Sequence, residues 1–133
     1  MELLLKENYA IINFNQERAL ILLHLVSDIT FDNYKSVLNT LLEKIIEKNC
    51  SKLIVDQRYN EKIGMEEKAW LISQWFPNLQ KNIGEDFKLS VIAANSLFAK
   101  VGAEYIVTTL KNKSNLAIQL HNNMNDALKW MED

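Results

Sequence analysis

The sequence predicts an α/β fold, and three observations carry that expectation. Short runs of β-branched, aromatic and aliphatic residues alternate with longer stretches whose apolar residues recur every three or four positions. The run Leu53-Ile54-Val55 is apolar without interruption, as in a parallel strand covered on both faces. Three Gly and one Pro in 133 residues leave little room for disorder or long linkers. The predicted order is β-β-α-β-α-β-α-β-α: one domain over residues 1–133, with helices packed on a mixed, mostly parallel five-stranded sheet.

Tyr9 to Asn15 and Ala19 to Val26 form an antiparallel pair joined through Asn15-Gln16-Glu17-Arg18. Thr30 is placed to cap a helix in which Tyr34, Val37, Leu38, Leu41, Leu42, Ile45 and Ile46 make one apolar stripe, ending near Asn49. Leu53 to Val55 is the third strand, stopped by Asp56. The polar loop Gln57 to Gly64 leads to a second helix from Met65 to Asn82, which Pro77 should kink or restart by removing an amide donor. Phe87 to Ala94 is the fourth strand. Asn95 or Ser96 caps a third helix, Leu97 to Lys111, with Leu97, Val101, Tyr105 and Leu110 expected to face inward. Gly102 in mid-helix implies a close packing contact, since it costs about 1 kcal/mol relative to Ala. Asn115 to Leu120 is the fifth strand. Asn125 caps a terminal helix, Asp126 to Met131, whose Met124, Leu128 and Met131 close over the sheet.

A single chain of this length buries roughly two thirds of the surface that it exposes when unfolded, so neither disulfide nor metal is required. A net charge of −2 with both signs interspersed lacks the basic field that nucleic-acid binding needs. Cys50 is the one cysteine, which excludes an internal disulfide and a zinc-thiolate cluster and fits a reducing, cytoplasmic setting. The apolar run after Met1 is too short for a signal sequence, and no stretch approaches the ~20 apolar residues of a membrane span.

Leu53-Ile54-Val55-Asp56, the opening hairpin and the tail Ala127-Leu128-Lys129-Trp130-Met131 together resemble the STAS domain family, the anti-sigma-factor antagonist fold, in its SpoIIAA-like branch. The resemblance covers nearly the whole chain. It implies a regulatory module without its own catalysis, in which a Ser at the start of the helix after this strand is phosphorylated and breaks a protein complex. This sequence has no Ser or Thr between Asp56 and Trp70, and the nearest, Ser73, lies inside the helix. The usual phosphoserine switch is therefore not expected. Glu61, Glu66 and Glu67 stand there instead, as acids matched to the helix dipole or, more pointedly, as a fixed imitation of a phosphorylated state.

The carboxyl ends of the strands are where ligands and partners dock in such folds. Trp70 lies ~160° from the apolar stripe of its helix and is the candidate anchor of an interface. With Arg58, Tyr59, Glu61 and Glu66 it forms the expected partner-binding surface, for a protein partner or, across a two-fold axis, a second copy. The other reading of Trp70 is that Pro77 or another element alters its surroundings. An alternative ligand set is Asp28, Asp56, Arg58, Asn95 and His121, where Arg58 and His121 would hold an anion and Tyr59 would pack against it. In a carrier, Phe98 and Met124 would line an apolar pocket. No metal spacing, nucleophile turn or phosphate loop is present. No catalytic residue, metal or cofactor is assigned, and Cys50 reads either as a thiol activated by Lys48 and Lys52 or as a small buried residue.

Overall fold

The computed structural model describes residues 1–132. Its elements are β1 (Glu2–Lys6), β2 (Ala10–Asn15), β3 (Leu20–Leu25), α1 (Phe31–Lys48), β4 (Lys52–Asp56), α2 (Met65–Trp70), a π-helical turn (Leu71–Trp75), α3 (Phe76–Gln80), β5 (Lys88–Ile92), α4 (Leu97–Asn112), β6 (Ala117–His121) and α5 (Met124–Glu132). The α/β class stands, but the sheet has six strands in the order β1-β2-β3-β4-β5-β6. The added strand, β1, pairs antiparallel with β2 through a register shift between Leu3 and Leu5. Its short Leu-Leu-Leu run lacks the alternation that marks a strand.

β2 and β3 are antiparallel, and β3 to β6 run parallel. The parallel strands step in one direction across the sheet. Right-handed crossovers then place every connecting helix on the same side. That side holds the larger core, including Leu23, Leu25, Tyr34, Leu41, Leu53, Trp75, Phe76, Leu89 and Ile106. The opposite face carries Leu20, Leu22, Ile54 and Ile92 and is closed by α5 through Ala127 and Met131, with Met124, Leu128 and Trp130 packed around them. Alternation along the strands sends neighbouring residues to the two cores, which is why β3 is apolar at almost every position.

Helix ends follow the local chemistry. Thr30 accepts a hydrogen bond from Asn33 N at 3.2 Å, and Asn49 ends α1 in the left-handed region at φ 52°. Ser96 caps α4 by accepting from Ala99 N at 3.1 Å. The terminal cap is Asn123, not Asn125: its Oδ1 accepts from Asp126 N at 2.8 Å, and α5 begins two residues earlier than expected. Ala19 closes the β2–β3 loop with φ 51°.

The helix restarts at Pro77, which stands in the first turn of α3. The preceding turn widens to π geometry, so that Phe76 N bonds to Leu71 O five residues back, and Pro77 enters near the start of α3. Shifting the ladder by one residue accommodates an imino acid that cannot donate. The same turn aims Trp75 inward, where its indole N–H donates to Leu38 O of α1 at 2.6 Å.

Candidate functional site

Three features meet at the carboxyl ends of the parallel strands. The first is a buried charge cluster on the α5 side. Register places His24 beside Asp56, and Asp56 beside Ile92, which neighbours His121. The Asp56 side chain is fully buried. It accepts from Arg58 Nε at 2.9 Å, Arg58 Nη2 at 2.7 Å and the Arg58 backbone N at 3.1 Å, with His24 Nδ1 at 2.9 Å. Burial pushes its carboxyl up, but these donors outweigh burial and hold it far below the usual carboxylate range. The same carboxylate raises the Arg58 guanidinium, against a smaller effect of burial.

This cluster corrects the alternative ligand set. The Arg58 guanidinium is already paired side-on with Asp56 through Nε and Nη2. His121 lies two strands from Asp56 with Ile92 between them. Its Nδ1 is 2.6 Å from the Ser90 hydroxyl, its ring stacks at a tilt on Trp130, and burial lowers its basicity against a smaller opposing effect of Asp126. Ser90 is wholly enclosed in mid-strand, so no substrate reaches its Oγ. Asp28 is exposed and ties two loops by accepting from Glu61 N at 3.1 Å, while Asn95 is exposed beside the α4 cap.

The second feature is an apolar surface, and it is not where Trp70 suggested. Trp70 is only partly exposed; its ring meets Phe31 and Tyr34 edge-on at centroid distances of 6.5 and 6.0 Å, because α1 covers that side of α2. Glu61 and Glu66 are exposed, and Glu67 reaches back to the Gly64 N–H as a capping carboxylate. Four of the exposed large apolar residues cluster on α4 instead: Leu97 (79 %), Phe98 (71 %), Val101 (56 %) and Tyr105 (57 %), with Tyr59 (64 %) and Met65 (79 %) nearby in sequence to the strand-end loop. The inward face of α4 is Ala103, Ile106, Val107 and Leu110. Leu97, Val101 and Tyr105 therefore point away from the core, contrary to expectation. The helix carries two apolar stripes, and spacing alone does not say which one faces the sheet.

The third feature is a small cleft lined by Gln57, Asn60, Glu61, Lys68, Phe98 and Gly102, among others, with about 20 Å³ of free volume. Asn60 is 2 % exposed; its Oδ1 accepts from Lys62 N at 3.3 Å, and its Nδ2 has no partner. The packing expected at Gly102 is present here: a Cβ would stand 3.0 Å from Lys68 Nζ. Nothing in the loop sequence marked Asn60 or Lys68, since their meeting depends on α2 lying beside α4.

Two other expectations are settled by burial. Cys50 is buried and its thiol is pushed up to about 11 by burial, against a smaller effect of Lys48, so it is not an activated nucleophile. Phe98 and Met124 pack on opposite sides of the sheet and share no pocket. The apolar void lined by Leu23, Leu38, Leu53, Trp75 and Leu89 has about 40 Å³, far below a drug-sized ligand site of ~300 Å³ or more. Among the described residues no group of three His, Cys, Asp or Glu is placed to hold a metal, and no helix is long and apolar enough to cross a membrane. No protein-family model matches this chain, and comparison with curated proteins gives no match.

Proposed function

We propose that this chain is a non-catalytic interaction module that works by pairing with a second copy through the outer face of α4. The observation that carries this reading is the solvent-facing stripe of Leu97, Val101 and Tyr105, flanked by Phe98. At ~100° per residue these side chains span about a quarter turn centred opposite the buried face. A water-facing helix of an isolated domain has no need of such a stripe.

Charge selects the occupant. Lys100 and Glu104 border the stripe on the same side, one turn apart. In an antiparallel pair with Val101 on the two-fold axis, Leu97 meets Tyr105 of the other copy. Lys100 then lies about 3 Å along the axis from Glu104 of that copy, twice per interface. The stripe and its charges are thus self-complementary. The regulatory role implied by the STAS resemblance is part of this proposal, with assembly rather than phosphorylation as its means; Ser73, the nearest hydroxyl, is turned onto Ala69 O at 2.6 Å within its own helix.

Sedimentation equilibrium tests the reading. Wild type should form a dimer at micromolar to millimolar concentration. Val101→Glu, which places two like charges on the axis, should weaken pairing about a hundredfold or more with little change in fold. Lys100→Glu should weaken it and Lys100→Glu with Glu104→Lys should restore it. A wild type that sediments as a monomer at the highest concentration overturns the proposal.

A further inference from the structure

We propose that the cleft at Asn60 seats one oxygen of a small organic anion, a carboxylate or phosphate ester whose apolar body lies over Phe98. This inference does not need α4 pairing, although Phe98 borders both surfaces, and it rests on a different observation: a buried amide donor with nothing to donate to. Asn60 Oδ1 is committed to Lys62 N, which fixes the orientation of the amide and leaves Nδ2 as the orphan among the buried side-chain polar atoms of the described residues. An unpaired buried donor is costly, and native structures supply it with a partner.

The surroundings specify the charge of that partner. Lys68 lines the same cleft, crosses Gly102, and forms no ion pair with a carboxylate among the described residues. Phe98 and Ala99, in the first turn of α4, also line it, adding the positive end of a 16-residue helix. Glu61 is the opposing charge on the lining; it is exposed and therefore weakened by solvent. Free volume of about 20 Å³ admits a single oxygen, so the rest of the ligand must lie outside, where Phe98 presents an exposed ring 5.9 Å from Lys68 Nζ.

Amide chemical-shift titration of the full chain with hexanoate, hexyl phosphate and hexanol tests the proposal. It is run on wild type and on Val101→Glu, so that any effect of pairing is separated. Saturable shifts of the Asn60 side-chain amide and the α4 first turn with either anion, and none with hexanol, support it; the anion that binds tells carboxylate from phosphate ester. Lys68→Met should weaken binding roughly tenfold, the loss expected for one charged hydrogen bond. Gly102→Ala, which displaces the Lys68 ammonium while suiting a helix, should weaken it as well. Glu61→Gln should tighten it. Absence of saturable shifts with both anions, equal response to hexanol, or weaker binding in Glu61→Gln overturns it.

Discussion

Asp56 shows how one side chain can be legible in part. Its position at the end of an apolar strand is plain from Leu53-Ile54-Val55-Asp56. His24 was not connected to it, because the contact depends on β3 and β4 lying in parallel register. The carboxylate is held low in the folded protein, so its contribution to stability is fully present above the unfolded value near pH 4. It is lost as pH falls through the folded value. Asp56→Asn should cost about 3 kcal/mol at pH 7, since it leaves Arg58 without its buried partner. In urea unfolding, the gap between wild type and variant should narrow by about 1 kcal/mol between pH 7 and pH 3. A gap that stays constant would mean that the cluster contributes packing but no charge stabilisation. Trp70 teaches the opposite lesson: the helix buries Leu71 and Trp75 and exposes Met65 and Ala69, so the stripe that set Trp70 outward does not hold, and Phe31 and Tyr34 from a helix distant in sequence supply its surroundings.

Elements were recoverable where end chemistry and periodicity agreed. For α1, Thr30, the Tyr34-to-Ile46 stripe and Asn49 all pointed to the same boundaries; the structure places the caps there, and of the stripe Ile46 alone is exposed. Around α5, Asn123 and Asn125 are both competent caps, and the choice falls to the one that lets Ala127 and Met131 reach the sheet. Asn123→Ala should therefore destabilise the domain by about 1 kcal/mol, whereas Asn125→Ala should change it little, as thermal unfolding would measure. The widened turn ahead of Pro77 was half legible. Proline demanded an adjustment, but whether by kink, break or π turn depended on Leu71 and Trp75 being held in the core. α4 was the clearest misreading, because its two apolar stripes satisfy the same spacing and one of them faces water.

Across the molecule, the two faces of the sheet are covered unequally. Three crossover connections shield one side, while the nine-residue α5 closes part of the other. β1 is an edge strand with a register shift and exposed Leu3, and β6 forms the opposite edge. Amide hydrogen exchange should accordingly be slowest in β3 and β4, whose backbones are paired on both sides, and faster in β1 and α5. Equal protection in β1 and β4 would show that the sheet opens only as a unit. The outer surface of α4 is a broad exposed apolar region, and the α2–α4 cleft lies beside it.

The sequence by itself determined the α/β class, the alternation of strands and helices, the α1 caps and the strand-end location of the polar residues. These follow from local propensity, periodicity and the residues that satisfy helix ends. Only the tertiary structure decided the sixth strand, the covering of Trp70, the solvent-facing stripe of α4, the His24–Asp56–Arg58 cluster and the orphan Asn60 amide beside Lys68. Each of these depends on which distant segments pack together: spacing says that a helix has an apolar face, while the neighbour across the fold determines whether that face is buried.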